Sequence, residues 1–449
     1  MTLRDGWLLI VISGLAIALR LAVMGTAPQQ LTMDRDLYLG LAEQIQAGNG
    51  YSTPGIAPSV ATAFRPPLYP LLLAGIPHTP WAIGGLHLLL AVGMGWAVAR
   101  AILGAVGELS WGGYIAALVV AVDPLLVAYA GMPMTETLCA ALSAVLLWRV
   151  RFVEAPRSEG ASSAWVFPWR GPFVAGVWWG LCVLARPTYL APWGLWLACE
   201  FLVAGFSSST QTPMRRVARA GVCSIPVAVG MFLVLAPWMI RNQMVWGKPI
   251  ATTTHGGYTL WLANNPVFFQ EVVDGHDVTW QGESLARWQA ATAQEMRVAG
   301  INGEIAQDRW QAQRARQWIA GNPTAFLRAM GYRARSFWAL SPSHSSANSP
   351  ILVSGVRLYY GGLWILAVLA VGRLVQVRAW SQLVLPLSLI AGFSVVHLVY
   401  WTDTRMRAPV MPAIAVLIGA AMQTIPRRDR TAATIQWSGG PRSEYAARP

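Results

Sequence analysis

Runs of about 20 apolar residues recur from one end of this chain to the other, and they limit what it can fold into. A helix crossing the hydrocarbon core of a bilayer needs about that many predominantly apolar residues. Such runs lie near 7–25, 80–104, 111–130, 135–150, 172–185, 188–206, 220–240, 351–372, 380–401 and 408–425. The chain is 55% hydrophobic and 12% charged, whereas soluble domains carry about 25% charged residues. Within hydrocarbon each backbone polar group must be satisfied inside its own segment, so spans of this kind fold as helices. The expectation is an all-α, multi-pass membrane protein with about ten transmembrane helices, in a range of about 9–12.

Charge placement orients the spans. The net charge is +13, and lysine occurs only at Lys248. With the N-terminus inside, the cytoplasmic pieces hold Arg4, Arg100, Arg149, Arg151, Arg157, Arg170, Arg215, Arg216, Arg219, Arg373, Arg378 and the tail sequence RRDR. The short outer turns hold Arg186, Arg405 and Arg407. This is the positive-inside pattern, and an even number of spans returns both termini to the cytoplasm. Basic residues sorted in this way are topology signals and do not call for a nucleic-acid partner. The first run follows Arg4 and reads as an uncleaved anchor.

The expected organisation is a transmembrane module over 1–240 with a first outer loop at 26–79, an outer region at 241–345, further transmembrane helices at 346–425, and a polar cytoplasmic tail at 426–449 that reads as disordered. The outer region reads as helices ending at glycine, in ESLARWQAATAQEMRVAG and GEIAQDRWQAQRARQWIAG, followed by NPTAFLRAMGYRARSFW with Asn and Pro at its start. The cysteines, Cys139, Cys182, Cys199 and Cys223, stand singly in apolar runs, so neither a disulfide framework nor a zinc site is implied. No GxxxxGK[ST] loop and no GxGxxG after a strand is present, which argues against a nucleotide-driven pump or a nucleotide-sugar enzyme.

Candidate chemistry lies at the outer ends of the spans. LTMDRDLYLGLAEQIQAGNGY reads as an amphipathic surface helix, with Leu37, Leu41 and Ile45 four residues apart. Asp34 and Asp36 can be an N-cap and a first-turn acid, or functional carboxylates. The D-x-x-x-Y spacing sets Asp34 and Tyr38 on one helical face, with Asp36 rotated away from it by about 200°. In RPPLYP the prolines force Arg65 to be extended, and Tyr69 follows. Arg65 is either a snorkelling anchor or a guanidinium preset for a phosphate at headgroup depth. Glu136 begins a span in TETL, where an acid is costly unless it faces a cavity. Arg186 stands in ARP, Arg241 in PWMIRN and His255 in HGGYTLWLANNP, while Arg405 and Arg407 stand in RMRAPVMP. Each has a bland reading as an anchor or a loop residue.

In their order and sidedness these motifs resemble the bacterial membrane glycosyltransferases of GT-C fold related to protein O-mannosyltransferases and the lipid A aminoarabinose transferase. The resemblance covers about residues 1–425. It implies a GT-C bundle in the cell membrane, a polyprenyl-phosphate-linked sugar donor, and a lipid, glycan or protein acceptor. It also implies an active site on the extracytoplasmic side. Asp34 matches the acid at the family's reaction centre, which leads to a general-base role and a single inverting displacement. Arg65 matches the basic residue beside the donor phosphate, and Glu136 matches a second acidic position. Asp36, Tyr38, Tyr69, Arg186, Arg241, His255, Arg405 and Arg407 complete the substrate-binding candidates. The aminoarabinose branch carries a metal-holding acid before its basic-Pro-Pro motif, where this chain has Phe64, so a divalent metal is left open. The competing reading is a lipid-linked sugar flippase or polysaccharide transporter, which would retain the arginines and have no use for Asp34.

Overall fold

The computed structural model describes residues 3–56, 58–102, 111–150, 169–206, 213–275, 280, 282–341 and 349–424. Arg151, Arg157 and the tail expected at 426–449 lie outside the described residues. Among the described residues the regular elements are helices, and the one strand-like feature is an isolated antiparallel bridge between Ser52 and Ala61. In chain order the helices are α1 (Leu3–Thr26), α2 (Tyr38–Gln46), α3 (Leu68–Ala74), α4 (Pro80–Ile102), α5 (Trp111–Val122), α6 (Pro124–Tyr129), α7 (Thr135–Arg149), α8 (Arg170–Ala185) and α9 (Leu190–Phe206). They continue as α10 (Pro213–Trp246), α11 (Gly256–Ala263), α12 (Pro266–Phe268), α13 (Glu283–Val298), α14 (Glu304–Gly321), α15 (Pro323–Phe337), α16 (Pro350–Gln376), α17 (Trp380–Val399) and α18 (Met411–Gln423).

Among the described residues, six segments are long and apolar enough to cross a membrane: Gly6–Thr26, Pro80–Ile102, Ala220–Trp246, Pro350–Gln376, Trp380–Val399 and Thr404–Gln423. Shorter apolar helices, Trp111–Val122 and Arg170–Ala185, stand at two further expected positions. The run expected to continue over 111–130 is interrupted at Asp123. Pro124 cannot continue the backbone ladder of α5. The freed carbonyls of Val120 and Ala121 accept from the buried Arg20 of α1 at 3.2 and 2.9 Å. A cation at a helix C-terminus also suits the helix dipole. Asp123 in turn caps α6, accepting from Leu126 N–H at 2.9 Å. The polar pair Asp123-Pro124 is thus the joint of a broken helix.

The last span forms the middle of the bundle, with 83% of its apolar window buried, and packs against α4, α5, α7, α16 and α17. Lipid tails are as apolar as leucine, so membrane helices gain most by approaching closely over small residues. Gly112 of α5 faces Gly419 of α18, and a Cβ added to Gly112 would lie 2.1 Å from the Gly419 carbonyl oxygen. Gly112→Val is therefore expected to destabilise the bundle by about 1–3 kcal/mol. A fall in the thermal unfolding midpoint in detergent checks this, and an unchanged midpoint would remove the contact from the account. Outside the spans, α11–α15 form a second layer around a core that includes Trp261, Phe268, Trp280 and Trp288.

Candidate active site

The first loop supplies two carboxylates just before α2. Leu37 takes a left-handed conformation, with φ 66° and ψ 11°. A branched residue there is strained. The reversal breaks the helical spacing expected from Asp34 to Tyr38: the helix starts at Tyr38, and both acids precede it. Asp34 folds back onto the helix start and accepts from the N–H groups of Leu39 at 3.2 Å and Gly40 at 2.8 Å. Gly40 leaves room for this approach, since a Cβ there would lie 2.8 Å from Pro54 and 3.2 Å from Asp34 Oδ2. Leu37 itself is exposed, so the buried face of α2 is Tyr38–Ala42.

Asp36 turns the other way, into a chain of ion pairs. Its Oδ1 lies 3.2 Å from Arg65 Nη2 and its Oδ2 lies 3.1 Å from Arg405 Nη1. Arg405 also reaches Asp403 at 3.2 Å and Glu136 at 3.9 Å. Glu136, only 1% exposed, receives Arg186 at 3.0 Å. Arg186 further donates to Thr135 Oγ1 at 2.9 Å. Three guanidiniums and three carboxylates thus meet where α7 begins, α8 ends and the chain enters the last span. Burial alone would raise the pKa of Asp36, but Arg405 and Arg65 outweigh it and hold the carboxyl below its usual 3.8. At Asp403 burial prevails over Arg405, and the carboxyl is pushed up.

Arg65 is held from several sides. Its guanidinium lies over the rings of Tyr38 at 5.4 Å and Phe64 at 5.3 Å. Tyr51 donates to the Arg65 carbonyl at 2.9 Å. The hairpin arms behind it are gripped by Arg241, which donates to Tyr51 O at 2.6 Å and Thr62 O at 2.9 Å. From the outer layer, Glu304 of α14 accepts from Thr62 Oγ1 at 2.6 Å, from Ala63 N–H at 2.8 Å, and from Thr254. His255 packs edge-on against Phe64 at 4.3 Å. Burial and then the Arg65 charge push the His255 pKa well below 6.5, so the ring is neutral. Among the described residues Arg65 Nε, Arg186 Nη1, Glu136 Oε2 and His255 Nε2 are buried and make no hydrogen bond. Buried polar atoms without partners are uncommon in folded proteins and call for an explanation.

The sequence candidates therefore divide. Asp36, Tyr38, Arg65, Glu136, Arg186 and Arg405 come together, and His255 borders them. Arg241 supports the hairpin. Tyr69 is fully buried, donor or acceptor to His87 Nε2 at 2.8 Å, and meets the site through its edge contact with Tyr38 at 5.4 Å. Arg407 points elsewhere: it donates to Phe337 O at 3.2 Å and Ala339 O at 2.5 Å and lies over Tyr360 at 4.2 Å. Asp403, Glu304 and Tyr51 are members that sequence reasoning did not single out. Asp403 had a signal in its place beside Arg405, whereas Glu304 lies 242 residues from Thr62. Among the described residues no three His, Cys, Asp or Glu side chains gather as a metal-ligand set.

No protein-family model matches this chain, and no curated protein matches its sequence. Solved structures do share its fold. The oligosaccharyltransferase AglB of Archaeoglobus fulgidus, in complex with an inhibitory peptide and a dolichol-phosphate, aligns over 94% of this chain and 50% of its own at 14% identity, with a TM-score of 0.51. The Archaeoglobus fulgidus oligosaccharyltransferase tethered to an acceptor peptide containing the NVT sequon aligns over the same shares, 94% and 50%, at 14% identity and a TM-score of 0.54. ArnT from Cupriavidus metallidurans, bound to undecaprenyl phosphate, aligns over 93% of this chain and 78% of its own at 15% identity and a TM-score of 0.39. This chain spans about half the length of the oligosaccharyltransferase chains, 50% in each case, and what it shares with them is the GT-C fold.

Proposed function

We propose that this chain transfers a hexosyl or pentosyl unit from a polyprenyl-phosphate donor to a hydroxyl of a lipid, glycan or protein, at the extracytoplasmic face of the cell membrane. The observation that carries this reading is the convergence of Arg65 and Arg405 on one carboxylate, 3.2 and 3.1 Å away, at an end of a membrane bundle. Two guanidiniums at that spacing suit a phosphate, which they bind by paired charge-assisted hydrogen bonds. The polyprenyl chain would lie in the bilayer with its phosphate at headgroup depth. A structure of the same fold was solved with dolichol-phosphate, which supports a lipid phosphate in this one.

In the proposed step the acceptor oxygen attacks the anomeric carbon, the bond from that carbon to the phosphate oxygen breaks, and polyprenyl phosphate leaves with the bonding electrons. Arg65 and Arg405 stabilise the charge that grows on the leaving oxygen. The acceptor proton goes to a carboxylate. We assign that role to Asp34. Asp36 is neutralised by two cations that keep its basicity low, whereas Asp34 makes no ion pair among the described residues and is held in place by two backbone N–H groups. Asp36 spaces the arginines and competes with the incoming phosphate for them. A single displacement inverts the anomeric centre.

Mass spectrometry of envelope glycolipids, glycans and glycoproteins from cells with and without the chain tests the reading. The expected result is one glycan species lacking a single sugar in its absence. The purified chain should also release polyprenyl phosphate from synthetic polyprenyl-phosphate mannose, glucose or arabinose when the acceptor is supplied. Movement of the intact donor across a vesicle membrane with no sugar transferred would favour a flippase.

A further inference from the structure

The layer formed by α11–α15 carries a cleft away from the arginine cluster. It is bounded by α11 and α12, by α13 and by α14, and has a volume of about 670 Å³. That lies within the usual range for small-molecule sites, about 300–1,000 Å³. Trp261, Trp288 and Trp318 supply indole wall. Glu271, Arg287, Glu295, Arg314 and Gln317 supply polar groups around them. A second cavity of about 690 Å³ adjoins the first, shares Glu295, Arg314 and Gln317 with it, and adds Trp310. The two together form an elongated trough along the α13–α14 groove.

We propose that this trough binds a neutral glycan, whose end reaches the arginine cluster as the acceptor. The binding claim stands on the trough itself, and the acceptor role rests on the transfer reading above.

The chemistry of the walls selects the ligand class. A pyranose ring has apolar C–H faces and a rim of hydroxyls. It is held best by indole surface beside side chains that both donate and accept hydrogen bonds. Carboxylates, guanidiniums and a carboxamide occur together here. Glu271 and Glu295 balance Arg287 and Arg314, so the trough has no net charge with which to prefer an anion or a cation. Glu295 and Arg314 pair across it at 2.5 Å. Trp261, in the wall, is nine-tenths buried, and its indole N–H makes no hydrogen bond among the described residues. Among the described residues no free sheet edge is present in the walls for a peptide to extend. The walls are helices whose backbone groups are paired along the chain, and the groove is studded with charge.

A strip of rings leads from the trough to the site. Trp261 and Trp288 lie 6.4 Å apart between centroids, Trp288 and Tyr258 another 6.4 Å, and Tyr258 and Phe64 6.2 Å. Phe64 lies beneath the Arg65 guanidinium. Trp261 and Trp288 are buried in the core of this layer, so the strip ties the wall of the trough to the backing of Arg65 as one packed unit.

The test is direct binding of maltotetraose, cellotetraose and mannotetraose to the full chain in nanodiscs, measured by calorimetry. At least one is expected to bind, about tenfold more weakly to Trp318→Ala. Arg287→Ala, at an exposed position where folding is not at stake, should weaken binding as well. Failure of all three glycans to bind, binding unaffected by both trough variants, or displacement of the glycan by an unglycosylated peptide overturns the proposal. Glycan binding lost in Trp318→Ala with no sugar transfer under any condition would leave the trough standing and remove the transferase reading. Transfer to a lipid acceptor with no glycan binding would do the reverse.

Discussion

Asp34→Asn is expected to lower the rate of sugar transfer by about 10²–10⁴-fold, the usual contribution of a positioned general base. The variant is not perfectly silent for folding. Each carboxylate oxygen of Asp34 accepts one backbone N–H, from Leu39 and from Gly40. An asparagine has one acceptor oxygen, so one of these N–H groups loses its partner, and loss of a capping bond costs about 0.5–2 kcal/mol. The melting midpoint and the affinity for polyprenyl phosphate therefore have to be measured beside the rate. The assignment predicts a small fall in stability, near-normal donor affinity and a large fall in turnover. Asp36→Asn has a different signature. It frees Arg65 and Arg405 from their shared counter-ion, so its main effect falls on the affinity for donor and for released polyprenyl phosphate. Near-wild-type turnover in Asp34→Asn, with turnover lost in Asp36→Asn, would move the base to Asp36.

Arg65→Ala is expected to reduce turnover by about 10²–10³-fold, the scale for removing one group that stabilises charge in the transition state. The substitution also leaves Asp36 with Arg405 as its remaining cation and takes away the plane stacked between Tyr38 and Phe64. Arg65→Lys restores the charge alone. A lysine ammonium has neither the bidentate fork nor the flat face, so rescue is expected to be partial, with the deficit appearing in turnover as well as in donor affinity. Full activity in Arg65→Ala would take this residue out of the reaction and leave Arg405 and Arg186 as the phosphate ligands.

The apolar runs made the helical membrane bundle legible, because their length and composition admit little else. The Arg-Pro pairs and the acid at the start of α7 made the neighbourhood of the candidate site legible, because charges at span ends are costly without a purpose. The individual assignments depended on backbone detail that spacing does not carry. Arg405 and Arg407 looked equivalent two residues apart. They lie on a 3₁₀ turn, Thr404–Val410, where residues two apart point about 120° away from each other. One therefore meets Asp36, and the other fills a carbonyl-lined pocket against Tyr360. Helical spacing relates Asp34 to Asp36, but the left-handed Leu37 puts both outside the helix and gives them different partners. Glu304 acts through partners far away in sequence, and single-chain periodicity is blind to such contacts.

The hairpin between Tyr51 and Thr62 is gripped from the membrane side by Arg241 and from the outer side by Glu304. It is a short arm pinned between the end of α10 and the start of α14. Ala63, which Glu304 holds by its N–H, is two residues from Arg65 along the chain. Glu304 therefore fastens the start of α14 to the backbone that carries the guanidinium, so the second layer and the candidate site share one carboxylate as their common clasp.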